Sequence, residues 1–350
     1  INVLRAGMVN VGFPAQRLAV DVMKAVAKPQ VTRPPATVGT APIKEQVIHF
    51  VNKKLPGGLP TKTARALLDI EDRAYVPVIR NPKATTVDSE AVFYFPGCGS
   101  ERLFSQVGLA TQAMLYQVGA TTVLPPGYLC CGYPQTAAGE EDAGQKITTD
   151  NRVLFHRVAN TLNYLDIKTV IVSCGTCMDQ LQKYQFEKIF PGCRLLDIHE
   201  YLMEKGVKLE GVEGTRYMYH DPCHTPMKAY NPLAVTNKLM GQNVPLTDRC
   251  CGDSGSFAYS RPDIATQVKF RKQQDIEQQA EKLRADGFKG DVKILTSCPA
   301  CLQGLSRYDD DADTQADYIV VEMAKHLLGD NWMADYVGKA NTGGIERVLL

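Results

Sequence analysis

The sequence has no long apolar run and no excess of charge, and each absence excludes a class of function. No stretch reaches the roughly 18 apolar residues that a membrane span requires, and no secretory signal peptide is visible. The 350 residues carry a formal net charge of +1, so no basic surface for nucleic acid is indicated. We therefore expect no membrane span and no nucleic-acid partner.

Common catalytic motifs are also missing. The glycine-rich stretch GCGSER at 97–102 lacks the spacing of a phosphate-binding loop, and no Ser–His–Asp arrangement is visible. The sequence begins INVLRAGMVN, without an initiator methionine. We expect the chain to be a piece of a longer polypeptide whose N-terminal neighbour is missing.

Cysteine is plentiful instead, with 11 residues in the chain. That content is high for a cytosolic enzyme and low for a disulfide scaffold. Ten of the cysteines form the pattern C…CCG…CxxC, written twice, and only Cys193 lies outside it. The two sets are Cys98, Cys130, Cys131, Cys174 and Cys177, and then Cys223, Cys250, Cys251, Cys298 and Cys301.

The repeat extends beyond the cysteines. Matching positions are offset by 125 (98 to 223), 120 (130 to 250) and 124 (174 to 298). An apolar, aromatic run with a proline precedes each first cysteine, as AVFYFPGC and TRYMYHDPC. A short β-branched run precedes each CxxC, as KTVIVSCGTC and VKILTSCPAC. An internal repeat of this length indicates two copies of one structural unit.

Strand-like runs alternate with helical periodicity, for example at 102–120 and 263–287, and this alternation predicts βαβ units with parallel strands. We predict an α/β fold of two Rossmann-like lobes with short parallel sheets, related by a pseudo-twofold axis. The expected division is a helical arm and linker at 1–90, with helices at 15–28 and 42–55, a first lobe at 91–212, a second lobe at 213–335 and a C-terminal tail at 336–350.

The positions of the thiols indicate a ligand site in each lobe. Ligands of open α/β sheets bind beyond the carboxyl ends of the strands, where we expect Cys98, Cys174, Cys223 and Cys298. Each CxxC also opens a predicted helix, whose free N–H groups stabilise thiolates. The glycine after each cysteine pair, Gly132 or Gly252, allows a tight turn.

Several interpretations of ten such thiols compete. Small buried side chains and structural disulfides explain single cysteines but not two matched sets. A thioredoxin-like dithiol needs only the CxxC. Metal or cluster ligation uses all ten. Zinc and a cubane cluster each take four ligands and leave one thiol over in each lobe, and spacing alone does not decide between them.

The repeated C…CCG…CxxC, led by FPGC and HDPCH, resembles the cysteine-rich CCG domain over roughly 91–330. That domain occurs in a subunit of heterodisulfide reductase and in the iron–sulfur subunits of glycolate oxidase, lactate utilisation enzymes and anaerobic glycerol-3-phosphate dehydrogenase. The resemblance implies two iron–sulfur clusters, of the [4Fe-4S] or the non-cubane type, each held by the five cysteines of one lobe. It also implies electron transfer in the cytoplasm, with peripheral attachment to the inner face of the membrane as an alternative location.

The resemblance further implies partners. Glycolate oxidase-like relatives carry an upstream ferredoxin-like module with C-x-x-C-x-x-C-x-x-x-C-P motifs, which this chain lacks. We expect electrons to come from a flavin-linked dehydrogenase of a glycolate- or lactate-like acid, with FAD on a partner or an upstream domain, and to pass to a quinone or another carrier. The alternatives are a cluster-based disulfide reductase and a non-catalytic scaffold held together by zinc or clusters.

Histidines near the cysteines have two interpretations each. His220 and His224 flank Cys223, and His224 can contact a cluster, a substrate or a quinone, although a hydrogen-bonded loop histidine is the simpler interpretation. His199 and Glu200 can transfer protons, but their place at a predicted helix start favours capping.

Three further side chains also allow either a functional or a purely structural interpretation. Arg249 precedes Cys250 and can lower a thiolate pKa or bind an acidic substrate, or can be a plain surface residue. Tyr133 and Phe257 can screen the cysteines from water or can belong to the core. No catalytic residue is assigned from the sequence.

Overall fold

The protein is described here by a computed structural model that covers residues 60–137, 139–252 and 262–350. Ten strands lie in these residues: β1 Tyr75–Ile79, β2 Ala91–Phe95, β3 Thr121–Val123, β4 Ile167–Val172, β5 Arg194–Asp197, β6 Thr215–His220, β7 Leu246–Thr247, β8 Asp291–Thr296, β9 Gln315–Tyr318 and β10 Ile345–Leu349. They form a six-stranded sheet, β10-β1-β3-β2-β4-β5, and a four-stranded sheet, β7-β6-β8-β9.

Helices alternate with the strands. The α-helices of the described residues are α1 Ala64–Leu68, α2 Ser105–Gln117, α3 Tyr133–Ala137, α4 Glu141–Thr161, α5 Gly175–Leu181, α6 Ile198–Glu204, α7 Pro232–Met240, α8 Pro262–Arg284, α9 Pro299–Leu305, α10 Asp309–Ala312, α11 Ile319–Leu328 and α12 Trp332–Lys339. Short 3₁₀ turns follow α5 and α9, and single π-helical turns occupy Gly99–Leu103 and Ala340–Gly344. None of the helices in the described residues is both long and apolar enough to cross a membrane.

The two sheets repeat one parallel unit. In the first, β3, β2, β4 and β5 pair in parallel, and in the second β7, β6, β8 and β9 do so in the same order. β2 and β4 are the apolar runs AVFYF and IKTVIV, and nearly all of their side chains are buried because helices cover both faces. The predicted α/β class with short parallel sheets is confirmed.

The first sheet has two strands that the sequence analysis did not predict. β1 and β10 pair antiparallel, with Tyr75 opposite Leu349, and β1 also pairs antiparallel with β3. These strands lie in the segments expected to be a linker and a tail. Val76 and Val78 of β1 are fully buried, so the alternating apolar residues of YVPVI extend the sheet. The helices expected at 15–28 and 42–55 lie outside the described residues.

One apolar core joins the two halves of the described chain. It includes Tyr94 and Ile171 from the first sheet, Tyr219 and Leu295 from the second, and side chains of α2 and α11. The opposite face of each sheet carries a separate cluster, built around Phe93 in the first half and around Ile294 in the second. Both separate clusters contain cysteines, so the thiols lie at the edges of well-packed cores.

Candidate functional site

Both sets of cysteines lie where parallel strands end. Cys98 follows β2 and Cys174 follows β4, its neighbour in the first sheet. Cys223 follows β6 and Cys298 follows β8, its neighbour in the second. Cys174 and Cys298 directly precede α5 and α9, so the prediction that each CxxC opens a helix is confirmed. We call Cys98, Cys130, Cys131, Cys174 and Cys177 the first cysteine group, and Cys223, Cys250, Cys251, Cys298 and Cys301 the second cysteine group.

The first cysteine group forms one continuous network of thiols. Cys98 hydrogen-bonds to Cys130, Cys130 to Cys131, and Cys177 to both Cys131 and Cys174. Cys98 is partly exposed, while the other four are buried. All five predicted residues of this group are therefore brought together by the fold.

Negative charge in this network concentrates on two sulfurs. Hydrogen bonds from Cys130 and Cys177 lower the pKa of the Cys131 thiol to about 6. A hydrogen bond from Cys177 lowers the pKa of the Cys174 thiol to about 6 as well. Burial opposes this shift, and a hydrogen bond from Thr176 adds to it. The donors keep their protons, because the pKa of Cys130 rises to about 12 on account of its bond to Cys131. The first cysteine group therefore favours the binding of a cation, because two of its buried thiols lose their protons readily.

The second cysteine group has fewer contacts between its thiols than the first, and more of its thiols are exposed. The Sγ atoms of Cys251 and Cys301 lie 3.3 Å apart, and Cys250 and Cys298 are hydrogen-bonded to Cys251 and Cys301 respectively. Hydrogen bonds from Cys250 and Cys301 lower the pKa of the Cys251 thiol well below its ordinary value. Cys223 and Cys250 are exposed, whereas the other three are buried. The fold places Cys223 near Cys251 and Cys298 without a direct thiol bond among the described contacts.

The glycine after each cysteine pair has the geometry that the sequence predicts. Gly132 has φ +91° and Gly252 has φ +71°, in the left-handed region that favours glycine. The N–H of each glycine donates to the sulfur two residues earlier, at 3.4 Å from Cys130 Sγ and 3.4 Å from Cys250 Sγ. The two turns therefore hold the cysteine pairs in the same way.

A second glycine brings backbone close to the first cysteine group. Gly97 has φ +66°, and a Cβ at this position would lie 2.6 Å from Cys177 Sγ. The turn before Cys98 therefore packs directly on the CxxC sulfur, and only a residue without a side chain fits.

Sequence reasoning missed the residues that support the cysteine pairs. The Tyr184 hydroxyl donates to the Cys131 carbonyl at 2.9 Å, and the Tyr308 hydroxyl donates to the Cys251 carbonyl at 3.3 Å. Asn151 adds a 2.7 Å bond to the Cys130 carbonyl. The two tyrosines have the same offset of 124 as the two CxxC motifs, so extending the repeat beyond the cysteines would have found them.

Residues from both halves of the chain meet between the cysteine groups. His224 Nδ1 bonds to Asp179 of α5, and His224 Nε2 lies 3.1 Å from the Tyr133 hydroxyl. Lys228 Nζ lies 3.0 Å from the second oxygen of Asp179. The sequence allowed two roles for His224, a ligand or a hydrogen-bonded loop residue. In the structure it is a hydrogen-bonded loop residue that joins the two halves. The ring of Tyr133 contacts it edge to face.

The remaining candidates have structural roles in the described residues. Asp197 and Glu200 form a capping box at the start of α6, and the Val320 N–H donates to His199 Nε2 at 3.2 Å. Capping at this helix start is therefore confirmed, and His199 links α6 to α11. Arg249 is exposed with φ +65°. Cys193 packs on the apolar cluster of the first half, and Phe257 lies outside the described residues.

The donor set of the cysteine groups fits a thiolate-bound metal centre. All eleven cysteines lie in the described residues as free thiols, so no disulfide uses them. The five linked sulfurs of the first group include the four cysteine ligands that an iron–sulfur cluster takes. In the second group a ring nitrogen of His220 and the sulfurs of Cys251 and Cys301 lie within 4.8 Å of one another, an arrangement that could hold a metal ion.

The same two regions match a family model. The model of the cysteine-rich domain named CCG matches residues 92–182 and again residues 217–306, which together make up more than half of the chain. The chain belongs to the CCG cysteine-rich domain family. Each CCG match contains one complete cysteine group, and the expected resemblance is confirmed. Residues 306–350, beyond the second CCG match, fit a domain of unknown function, DUF3400.

Two of the curated relatives described here have names that include a reductase or an iron–sulfur subunit, and a third is named for lactate utilization. A subunit of the fumarate reductase (CoM/CoB) of Methanothermobacter marburgensis is 27% identical over 59% of this chain and 40% of its own length. The probable glycolate oxidase iron–sulfur subunit of Bacillus subtilis is 23% identical over 60% of this chain and 48% of its own. Lactate utilization protein A of an Exiguobacterium strain is 24% identical over 53% of this chain and 80% of its own.

The CCG chain spans only about 40% of the length of the first of these relatives. Among solved structures, a putative Asp/Glu racemase from Yersinia pestis covers 71% of this chain and 99% of its own at 13% identity, with a TM-score of 0.31. That score is too low to support any statement about fold or function.

Proposed function

We propose that the two cysteine groups each hold one iron–sulfur cluster and that the chain transfers electrons within a larger oxidoreductase. The observation that carries this proposal is the first cysteine group, in which five sulfurs are linked thiol to thiol and largely shut off from water. A structural zinc site and a cubane cluster each take four ligands, so the number of thiols does not decide between them. The iron–sulfur name of the glycolate oxidase relative favours a cluster. The proposed ligands are the five cysteines of each group.

The protein's own residues set the surroundings of such a centre. A four-iron cluster, when bound, takes up and releases single electrons at a potential that depends on burial and on hydrogen bonds to sulfur. Gly132 and Gly252 donate N–H bonds to sulfur at matched positions. Tyr184, Tyr308 and Asn151 fix the backbone of the cysteine pairs, so that the sulfurs are preorganised.

The names of the relatives support a flavin-linked source of electrons. The curated relatives include a probable glycolate oxidase iron–sulfur subunit and a lactate utilization protein. We propose that a flavoprotein domain or subunit oxidises a 2-hydroxy acid, that an upstream ferredoxin-like module relays the electrons, and that a quinone or another carrier accepts them. FAD then belongs to the partner, and the proposed location is the cytoplasm or the inner face of the membrane.

A disulfide reductase is the second candidate, because of a specific difference between the groups. Cys223 and Cys250 of the second group are exposed, and the partly exposed His224 follows Cys223 in the sequence. An open thiol site can exchange with an external disulfide. The division into an arm at 1–90, lobes at 91–212 and 213–335 and a tail at 336–350 remains part of the proposal.

The test is metal analysis of the chain purified without oxygen. We expect about eight irons and eight acid-labile sulfides per chain, with EPR signals that change on reduction with dithionite. Zinc without sulfide would overturn electron transfer and leave a structural module. The Cys131→Ser variant should lose about half of the iron, since only the first group contains this residue, and loss of all iron would contradict two separate sites.

A further inference from the structure

The two cysteine groups differ at one buried position that faces the sulfurs. The offset of 125 that relates Cys98 to Cys223 also relates Phe95 to His220. These residues end the equivalent strands β2 and β6. Phe95 is completely buried and His220 is 2% exposed. The first group thus has an inert ring where the second has an imidazole.

His220 lacks a partner for its buried ring nitrogen. Nδ1 has no hydrogen-bond partner among the described residues, although the imidazole as a whole is hydrogen-bonded to the Cys251 thiol. A buried polar atom without a partner is unfavourable, so the position needs a compensating interaction. A ring nitrogen of His220 and the Sγ atoms of Cys251 and Cys301 all lie within 4.8 Å of one another, so this interaction is available at the sulfurs.

The charge around the second group also differs from that around the first. Lys272 is completely buried on α8 and donates to Thr247 Oγ1 at 2.7 Å, next to the segment that leads into Cys250. The offset of 124 places Thr148 at the equivalent site of the first group. The second half thus has a lysine, paired with Asp275 at 3.1 Å, and an imidazole at the positions where the first half has a neutral hydroxyl and a phenyl ring.

We propose that His220 is a nitrogen ligand of the metal centre held by the second cysteine group. The proposal rests on the proposed function, because it requires a cluster at these cysteines. In this arrangement the imidazole takes the place of one of the five thiolates proposed above for the second group. A neutral imidazole adds no negative charge to the centre, and replacing thiolate by histidine raises the potential of an iron–sulfur cluster. The two clusters are therefore unequal, and the second has the higher reduction potential.

The experiment uses the full chain, loaded with iron and sulfide without oxygen and labelled with ¹⁵N-histidine. After dithionite reduction, pulsed EPR should show the strong hyperfine coupling of a coordinated nitrogen. The coupling should disappear in His220→Phe, which copies the residue of the first group, and persist in His156→Asn, which changes an exposed histidine on α4. A redox titration of His220→Phe should show one of the two potentials shifted downward and the other unchanged.

Each outcome decides between the two proposals. If the wild-type chain binds no cluster, the proposed function fails. If both clusters form and no nitrogen coupling appears, or the coupling survives in His220→Phe, the electron-transfer role stands and the ligand role of His220 is overturned. Should His220→Phe not fold by circular dichroism, His220→Asn serves in its place, because its shorter polar side chain does not fill the position with a phenyl ring.

Discussion

Close packing restricts which residues can occupy positions at the cysteine groups, as much as the chemistry of the thiols does. Cys177 donates to two neighbouring thiols, and Gly97 lies against its sulfur with φ +66°. A site of this kind tolerates no extra atom, because the sulfurs cannot separate without breaking their own hydrogen bonds. The glycine in FPGC is therefore as much a part of the site as the cysteine that follows it.

We predict that Gly97→Ala lowers the iron content of the first cysteine group. The added Cβ would lie 2.6 Å from Cys177 Sγ, so either the turn or the CxxC must move. Iron and sulfide analysis should show a loss of up to half of the metal, with the second group unaffected.

Gly206→Ala is the matched control for this change. Gly206 has a similar φ of +73°, but a Cβ there would meet nothing within 4 Å. Both variants share the backbone strain, and only Gly97→Ala has the contact with sulfur. Equal metal content in the two variants would show that the close approach does not matter.

At the scale of elements, a buried carboxylate on one helix forms an ion pair and a hydrogen bond with two strands. Glu322 of α11 is completely buried and accepts bonds from Lys293 Nζ of β8 at 2.7 Å and from the Tyr217 hydroxyl of β6 at 2.8 Å. Burial raises the pKa of this carboxyl, but the attraction of Lys293 outweighs it and lowers the pKa to about 2. One carboxylate thus connects two strands and a helix in the second half.

This carboxylate predicts a specific loss of stability in acid. The folded pKa of about 2 lies below the unfolded value of 4.5, so the stabilisation is complete above pH 4.5 and is lost as the pH falls to about 2. The shift corresponds to about 3 kcal/mol. In Glu322→Gln the free energy of unfolding should be lower at pH 7 and should fall less between pH 4.5 and 2.

Glu210→Gln provides the comparison in urea unfolding measured at several pH values. Glu210 pairs with Lys208 at 2.6 Å, and both side chains are largely exposed, so solvent screens the pair. Its removal should leave the pH dependence unchanged. A pH profile of Glu322→Gln that parallels the wild-type profile would contradict the role of the buried carboxylate.

At the scale of the whole molecule, the two halves are locked together between the cysteine groups. The Tyr318 hydroxyl lies 2.7 Å from the Ser173 carbonyl and 2.8 Å from the Ser297 carbonyl. Ser173 and Ser297 directly precede the two CxxC motifs, so the Tyr318 side chain connects the segments that lead into both motifs. Gly175 adds a contact in which the backbones of the two halves touch.

Gly175→Ala should therefore destabilise the contact between the halves. A Cβ at Gly175 would overlap the His224 carbonyl oxygen, and overpacking of this kind costs about 2 kcal/mol. Gly338→Ala is the control, since a Cβ on that exposed helix meets nothing within 4 Å. Urea unfolding should show a loss of stability for the first variant alone, and equal stabilities would mean that the halves can separate freely.

The sequence predicted the class of fold and the grouping of the thiols, because both depend on local pattern. Apolar runs ending at cysteine indicate parallel strands, and their carboxyl ends share one edge of a sheet. The pairing of β1 with β10 was not predictable, since it joins Tyr75 to Leu349 across the whole described chain. The partners of His224 were missed for the same reason: Asp179 and Tyr133 lie in the other half.

The pairing of β1 with β10 also bears on the order of events during synthesis. β10 leaves the ribosome only after every strand of the second sheet has been made, so until then none of the other described strands pairs with the outer edge of β1. Exposed edges recruit other strands. The nascent first half therefore has an edge strand that is prone to pair with other chains until β10 covers it. A chaperone or a partner protein that shields this edge would raise the yield of folded protein.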